Sequence, residues 1–424
     1  MRLSNYFVKT SKQSSEEEKS INAQLLTRGG FVRRNIAGVY TYLPFGLRVL
    51  RKIENIVREE MNKIGGNEVF MPVLSSKANW EATGRWDEID VLYKLEGAGG
   101  HMFALNSTHE EIITPIAEEF IKSYKDLPRY IYQIQTKFRN EKRAKSGLLR
   151  GREFSMKDLY SFHENEKDLD EYFELVSKAY RKIFDRVGLG KLTYEVEAPG
   201  GDFSDKPSIE FQTLTNAGED NIWIDTKTNY AINEELAECM TDIFDIVKEG
   251  ENISSIYSKK IGRELEKRKA AEVGNIFKLY DRFSKAFNLF YQDKTNSQEL
   301  VQMGCYGIGT SRLMGVVVEV FNDEKGIIWP ENIAPYKYDI IPIGETGYKK
   351  AEEIYNYFEK CGIEAVLDDR KESPGYRLKD ADLVGFPYKI VVSDKTLSSG
   401  ENIVEVINRQ TGSTELIDYT KIKK

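Results

Sequence analysis

Two arginines occupy positions that suit the binding of a phosphate group. Arg139 follows a stretch of alternating residues, and Arg312 follows the glycine-rich segment 304–309. A guanidinium presents a rigid fork of donors that matches phosphate and carboxylate oxygens, which the ammonium of lysine does not reproduce. Glycines allow a ligand to approach the backbone closely, and the start of a helix, where Arg312 is expected, favours a bound anion. The two arginines therefore predict a phosphate-binding site.

The residues around Arg139 are predicted to form an antiparallel hairpin. From 130 to 138, tyrosine, isoleucine and phenylalanine alternate with glutamine and lysine, as in a strand with one apolar face. Continuing this period places Arg139 and Glu141 on the polar face. Residues 152–160 are expected to form the returning strand. The stretch 137–157 has eight basic residues and two acids, which could equally form a salt-bridge ladder on the surface.

The segment 106–111, Asn-Ser-Thr-His-Glu-Glu, allows two compatible interpretations. Thr108 and Glu111 have the spacing of a capping box in front of an isoleucine-rich run, so Thr108 is predicted to start a helix. Glu110 is then available to face a pocket.

The remaining patterns predict the framework that must hold these residues. Apolar residues recur at three- and four-residue steps over 47–64 and over 169–187, which predicts two amphipathic helices, each ended by glycines. A short strand is expected at 68–72. Beyond the proline-containing stretch 329–336, strands and helices alternate, which is typical of a small α/β domain. We therefore predict a first domain at 1–335, interrupted by a polar connector at about 241–264, and a second at 336–424.

Composition narrows the class of protein. The 424 residues are 40% hydrophobic and 30% charged, as in globular proteins with more than one domain. No apolar run approaches the roughly 20 residues needed to span a bilayer, and acidic residues soon follow the N-terminus, so a cytoplasmic protein is expected. A net charge of -7 argues against nonspecific coating of nucleic acid. The three cysteines and three histidines are scattered, so neither disulfides nor zinc are expected.

The order of these features resembles class II aminoacyl-tRNA synthetases. The helix and strand over 46–72 resemble motif 1, residues 138–141 with 150–154 resemble motif 2, and 304–313 resemble motif 3. The resemblance implies an α+β fold, with an antiparallel-sheet catalytic domain followed by a small α/β anticodon-binding domain. It also implies a homodimer formed through motif 1.

A fourth motif resembles prolyl-tRNA synthetases of the bacterial type. Thr108-His109-Glu110 matches the Thr-x-Glu element that holds the secondary amine of proline in that family. The resemblance extends over nearly the whole chain, including the stretches 132–139, 156–163, 303–309 and 367–387. It implies activation of L-proline with ATP, Mg²⁺ bound through the nucleotide, and transfer of proline to its tRNA.

The resemblance implies roles for individual residues. The implied catalytic residues are Arg139 and Arg312. The residues implied for ATP are Arg139, Glu141, Arg150, Phe154, Glu272, Asn275 and Arg312, of which Glu272 also serves the metal. The residues implied for proline are Thr108, Glu110, Arg139, Met156, Phe277 and Cys305. The residues implied for tRNA are Arg143 at the acceptor stem and Asp369, Arg370 and Glu372 at the anticodon.

The sequence also departs from that family. Residues 241–264 stand where bacterial relatives usually carry a large editing domain, so editing by this chain is not expected. A separate hydrolase would then have to correct errors, unless an altered proline pocket rejects alanine. Asn106-Ser107 replaces Gly-Pro, and Asn275 replaces a histidine. Threonine or glycine specificity is the nearest alternative. A noncatalytic tRNA-binding relative is the other, although such relatives typically lose the ATP arginines.

Overall fold

The structure is a computed structural model that describes residues 1–13, 18–201, 203, 207–235, 262 and 264–423. The predicted connector at 241–264 lies outside the described residues except at 262 and 264, and Cys239 lies outside them as well. By its internal contacts the chain forms two compact units. The first comprises Met1–Ile36, Tyr40–Ile53 and Val317–Lys424, and the second comprises Ala37–Val39 and Glu54–Val316.

The described part of the chain mixes helices and strands throughout. The helices are α1 (Ile21–Arg28), α2 (Pro44–Lys63), α3 (Lys77–Ala82), α4 (Arg85–Glu88), α5 (Glu110–Phe120), α6 (Glu166–Arg186), α7 (Arg282–Ala286), α8 (Thr310–Val320), α9 (Gly344–Cys361), α10 (Pro374–Val384) and α11 (Asp394–Leu397). The strands are β1 (Val32–Ile36), β2 (Val39–Tyr42), β3 (Asn67–Glu68), β4 (Leu74–Ser76), β5 (Tyr93–Glu96), β6 (Met102–Leu105), β7 (Arg129–Phe138), β8 (Glu153–His163), β9 (Thr193–Ala198), β10 (Ser208–Leu214), β11 (Asp220–Asp225), β12 (Tyr230–Asn233), β13 (Glu266–Tyr280), β14 (Phe290–Gln292), β15 (Gln298–Leu300), β16 (Gln302–Ile308), β17 (Asn322–Asp323), β18 (Gly326–Ile327), β19 (Tyr338–Ile343), β20 (Ala365–Leu367), β21 (Tyr388–Ser393), β22 (Ile403–Asn408) and β23 (Thr414–Asp418).

A nine-stranded sheet is the framework of the second unit. Its strand order is β10-β9-β12-β11-β13-β16-β8-β7-β3. The central pairs β13/β16, β16/β8 and β8/β7 are antiparallel, as predicted. Antiparallel neighbours place residues that are distant in sequence directly opposite each other, and the candidate site depends on this property.

The predicted hairpin is confirmed. Strands β7 and β8 pair without a register shift from Arg129 opposite Phe162 to Phe138 opposite Glu153. Both faces of β7 pack inside the protein, because its polar residues Gln133 and Lys137 are as fully buried as Tyr132 on the apolar face.

The predicted strand at 68–72 is wrong beyond its first residue. Only Asn67–Glu68 forms a strand paired with β7. The Val69 N–H still donates to the Tyr132 carbonyl at 2.8 Å, and side chains then replace the backbone ladder. The Gln133 side chain accepts from the Met71 N–H at 3.0 Å, and the Gln135 amide donates to the Met71 carbonyl at 2.9 Å. Pro72 has no N–H to continue the strand.

The first unit contains a five-stranded sheet of order β20-β19-β21-β22-β23. Its first three strands are parallel and the last two pairings are antiparallel. Its core includes Ile340, Phe358 and Ile390, on elements that alternate as the sequence predicts. The residues before 54 in this unit also contact the C-terminal part, since the Ser4 N–H donates to Asp369 at 2.8 Å. Together the two sheets confirm the predicted α+β class.

Candidate active site

A cavity of about 320 Å³ in the second unit is lined by strands β8, β10, β13 and β16 and by adjacent loops. The predicted residues that line it are Thr108, Arg139, Phe154, Met156, Glu272, Asn275, Phe277, Cys305 and Arg312. They come from four separate parts of the chain, and the antiparallel sheet brings them together. The residues predicted to bind the substrates therefore share one cavity.

Arg139 lies at the end of β7, where the hairpin still holds the backbone. Its N–H donates to the Arg152 carbonyl at 2.9 Å, and its guanidinium lies 5.3 Å from the centre of the Phe154 ring. Among the residues that the structure describes, none accepts a hydrogen bond from this guanidinium. Burial and the nearby Arg312 lower the pKa of Arg139 from its ordinary value. The site therefore presents a desolvated cation with donors to spare, as an anionic ligand requires.

Arg312 is anchored where Arg139 is not. Its guanidinium donates to the backbone carbonyl of Glu272 at 2.8 Å and to the carboxylate of the same residue at 3.0 Å. The other Glu272 oxygen accepts from the Asn275 amide at 3.2 Å. The two arginines are close enough to affect each other, and Glu272 offsets part of their charge.

Glu141 and Arg150 lie outside the residues that line the cavity. Arg150 donates to the Glu141 carboxylate at 2.9 Å and to Glu219 at 2.6 Å. The pair with Glu141 closes the base of the hairpin loop, and the pair with Glu219 links this loop to the start of β11. Arg143 in the loop is exposed.

Thr108 and Cys305 form another part of the cavity lining. Thr108 and Cys305 both donate to the Glu110 carboxylate, the thiol at 3.0 Å. Burial and Glu110 raise the pKa of Cys305 well above its usual range. Glu110 itself is fully buried behind the two side chains that line the cavity.

The predicted capping box at Thr108 is wrong. Helix α5 begins at Glu110 with His109 as its N-cap, and no side chain caps it. Thr108 is bonded to Glu110, whereas Glu111 accepts from the buried Arg85 at 2.8 Å. Arg85 lies 3.5 Å from Glu110 as well, so a cation from a distant part of the chain holds the carboxylate that the box would use.

A buried ion pair supports the floor of the site, and sequence reasoning missed it. Lys137 donates to Asp158 at 2.6 Å, and Gln133 and Tyr160 each donate to the same carboxylate at 3.0 Å. Burial acts to raise the pKa of Asp158, but Lys137 and His109 hold it below its usual range. The basic residue within the alternating strand was the available signal, because a lysine on a two-faced buried strand needs an acidic partner.

Glu210 on β10 is a second residue that sequence reasoning did not place in the site. It lines the cavity and lies opposite Asn275 in the β10/β13 register. Gln212 and Asn233 donate to one carboxylate oxygen at 2.8 and 3.1 Å. Burial and the neighbouring Glu272 raise the pKa of Glu210 to about 8. The sequence feature that could have identified Glu210 is an acidic residue between the apolar residues Ile209 and Phe211.

The glycines of β16 serve different purposes. A Cβ at Gly304 would lie 2.2 Å from the Tyr306 hydroxyl, so this glycine is required by packing. Gly307 lines the cavity, and a Cβ there would meet nothing closer than 3.9 Å. Of the two β16 glycines, Gly307 therefore fits the predicted role of leaving the backbone open to a ligand.

The predicted anticodon residues lie in the first unit. Arg370 donates to Asp368 and Asp380, each at 2.7 Å, and Asp369 accepts from Ser4. Glu372 is exposed.

The remaining features of the described residues concern metal ligands, thiols and membrane spans. Within the described ranges, no group of three or more His, Cys, Asp or Glu residues is arranged to hold a metal ion. Cys305 and Cys361 are free thiols. Among the described helices, none has the length and hydrophobicity to cross a bilayer.

Two family models match the chain. Residues 93–321 match the class II tRNA synthetase core domain for G, H, P, S and T, and residues 337–424 match an anticodon binding domain. The chain is also similar in fold to the prolyl-tRNA synthetase of Giardia lamblia, solved in complex with prolyl-adenylate. The TM-score is 0.75, with 21% identity, over 94% of this chain and 75% of the other.

Curated relatives match over the full chain. Proline--tRNA ligases of Ehrlichia chaffeensis and Anaplasma phagocytophilum are 36% and 38% identical over 430 and 438 residues, covering 100% of this chain and 100% and 99% of theirs. The Fusobacterium nucleatum proline--tRNA ligase is 34% identical over 561 residues, with 100% of this chain and 98% of that protein covered. The identities, the coverage and the core-domain match show that the chain belongs to the prolyl-tRNA synthetase family of class II aminoacyl-tRNA synthetases.

Proposed function

We propose that this chain activates L-proline with ATP and transfers it to the tRNA for proline. The observation that carries the proposal is the pairing of two arginines with a Thr108–Glu110–Cys305 cluster around one cavity. The two arginines suit phosphate and carboxylate oxygens, and the Thr108–Glu110–Cys305 cluster suits an ammonium. Both substrates of the first step would therefore find partners of opposite charge.

The first step is attack by the proline carboxylate on the α-phosphate of ATP, with release of pyrophosphate. The reaction needs no protein nucleophile, so positioning and charge stabilisation supply the catalysis. Arg139 would hold the proline carboxylate beside the α-phosphate, since its donors have no acceptor among the described residues. Arg312, held in place by its hydrogen bond to Glu272, would bind the phosphates.

The proline pocket would lie between Arg139 and the Glu110 cluster. Thr108 and Glu110 would accept from the ammonium of proline. The residues proposed to pack on its ring are Met156, Phe277 and Cys305, all of which line the cavity.

The ATP contacts continue along the hairpin and β13. We propose that Glu141 accepts from the adenine amino group and that Phe154 stacks on the ring, with Arg150 keeping Glu141 in place. Asn275 and Glu272 would lie near the phosphates. Magnesium usually combines one or two carboxylates with substrate phosphates and water, so Glu272 and the adjacent Glu210 fit a metal that arrives with ATP. The metal would supply neutralisation of phosphate charge. No zinc is expected.

In the second step a terminal hydroxyl of the tRNA attacks the adenylate. Arg143 is proposed to contact the acceptor stem, because it is an exposed cation in the loop of the hairpin that carries Arg139. The unit that contains 337–424 would bind the anticodon, with Asp369, Arg370 and Glu372 as candidates. Since Asp369 and Arg370 already have protein partners, exposed Glu372 is the most accessible of the three.

A homodimer through motif 1 and a cytoplasmic location complete the proposal. In motif 1, Phe70 follows the edge strand β3 and its side chain is 81% exposed. A large exposed aromatic beside a sheet edge favours burial by a second copy.

The decisive assay is ATP–pyrophosphate exchange measured with each amino acid in turn. Proline is expected to give the fastest exchange because both ends of its backbone have partners in the cavity. Exchange driven by threonine or glycine would replace the proposed specificity. Absence of exchange with every amino acid would instead indicate a noncatalytic relative.

We predict that the chain does not hydrolyse alanyl-tRNA formed on the tRNA for proline. Alanine is smaller than proline, and lost apolar contacts distinguish the two by only about 1–3 kcal/mol, so some alanine is charged. The alignment with the Fusobacterium relative spans 561 positions against 424 residues here, which supports the absence of a large insertion.

Deacylation of preformed alanyl-tRNA tests this prediction, with the longer Fusobacterium enzyme as the comparison. The ester should decay at its spontaneous rate, and a separate hydrolase would clear it. Enzyme-dependent loss of alanine would place editing within this chain.

A further inference from the structure

Asn106 lies at the junction of the segments that carry the two ends of the proposed proline site. Its side chain is fully buried. It does not line the cavity, whereas Thr108 and Arg139 both do. A buried amide must have its hydrogen bonds satisfied, so its partners indicate what it holds together.

The Asn106 amide ties the Thr108 loop to residues 72–75, at the end of motif 1. Its Nδ2 donates to the Pro72 carbonyl at 2.9 Å, and its Oδ1 accepts from Ser75. Ser75 in turn accepts from the Trp80 indole at 2.7 Å. The Pro72 carbonyl also contacts a ring nitrogen of His109 at 3.0 Å. One carbonyl thereby fixes both sides of Thr108.

The backbone of Asn106 ties the same loop to the arginine strand. Its carbonyl accepts from the Phe138 N–H at 3.1 Å, one residue before Arg139. Its own N–H donates to the Val73 carbonyl at 2.8 Å. The amide and the backbone of Asn106 thus link the Thr108 loop both to Pro72 and to the strand that leads to Arg139.

We infer that Asn106 is a positioning residue that sets the separation between Thr108 and Arg139, and through it the fit of the amino-acid substrate. This inference rests on the proposed function, in which those two residues bind opposite ends of proline. A misplacement of about 1 Å in a site can cost on the order of a hundredfold in rate. Because ATP is proposed to bind along the hairpin and β13, Asn106 should affect the amino acid more than the nucleotide.

The test is pyrophosphate exchange by Asn106→Ala with proline and ATP varied separately. The KM for proline is expected to rise about tenfold or more, whereas the KM for ATP should change less than about threefold. Ser107→Ala is the matched control, since the neighbouring serine is also buried but makes no side-chain hydrogen bond within the described residues. It should leave both KM values unchanged.

Ser75→Ala keeps the bond from Asn106 to Pro72 and removes the donor to Oδ1, together with the acceptor of the Trp80 indole. It therefore tests the inference if Asn106→Ala does not fold. It should raise the KM for proline by a smaller factor. Thermal unfolding of each variant separates folding from positioning. Unchanged KM for proline in folded variants, or equal rises for proline and ATP, would overturn the inference. Absence of proline-dependent exchange in the unmodified protein would instead overturn the proposed function.

Discussion

Arg139→Ala is expected to reduce proline-dependent pyrophosphate exchange by about a hundredfold to a thousandfold. Loss of one donor to a developing anion typically has this effect. The side chain has no acceptor among the described residues and lies against Phe154, so its removal breaks no ion pair and should leave the fold intact. Exchange rates at saturating ATP, with circular dichroism as the fold check, measure the effect.

Two further variants sharpen this prediction. Arg139→Lys keeps the charge but loses the planar fork, so it should recover little of the activity. Arg181→Ala is the matched control, because Arg181 is exposed and pairs with Glu195 away from the cavity lining. Activity of Arg139→Ala close to that of this control would remove Arg139 from catalysis.

Arg85→Met is expected to lower the free energy of unfolding by about 3–5 kcal/mol. The variant leaves Glu110 and Glu111 buried without their cation, and breaking a buried pair costs about this much. Arg85 is 1% exposed and lies among the rings of Trp80, Phe203 and Phe283. The free energy of unfolding of a typical domain is only about 5–15 kcal/mol. The variant should therefore denature at markedly lower urea concentrations than the unmodified protein.

The loss should also depend on pH. Burial raises the pKa of Glu111 to about 7, although Arg85 acts to lower it. Because the pKa of Glu111 is higher in the folded state, this carboxyl contributes most to the free energy of unfolding in acid. That contribution is lost as the pH rises through the folded-state pKa. Without Arg85 the opposing cation is gone, so the variant should lose more stability between about pH 5.5 and about pH 8 than the unmodified protein.

Urea denaturation at both pH values checks the prediction, with Arg181→Met as control. An exposed ion pair such as Arg181 with Glu195 contributes only about 0–1 kcal/mol. Equal losses for the two arginine variants, or a loss for Arg85→Met that grows in acid, would contradict it.

Features encoded by short patterns were predictable from the sequence. The hairpin around Arg139 and helix α2 follow from periods of two and 3.6 residues, and the structure places them within a few residues of the predicted bounds. The cavity residues were predictable for a different reason. Their motifs resemble a family, and no local pattern shows that Thr108 and Arg312 face one space.

Features that depend on distant partners were not predictable. The capping box at Thr108 fails because Arg85, on another helix, binds Glu111 more strongly than a backbone N–H can. The strand of motif 1 stops early because glutamine side chains of β7 satisfy the Met71 backbone. Glu210 joins the site only through the register of β10 with β13. A secondary-structure propensity describes each residue alone, whereas these features depend on contacts between residues that are distant in sequence.

The first unit is built from segments that are far apart in sequence, and this affects folding during synthesis. Its early segments, Met1–Ile36 and Tyr40–Ile53, belong with Val317–Lys424, which the ribosome supplies only after Glu54–Val316. At about 5–20 residues per second, the early segments wait on the order of tens of seconds for the rest of their unit. Apolar residues of α2 such as Val49 and Ile53, which are fully buried in the finished protein, lack their final surroundings for that time. The second unit, by contrast, can fold while synthesis continues.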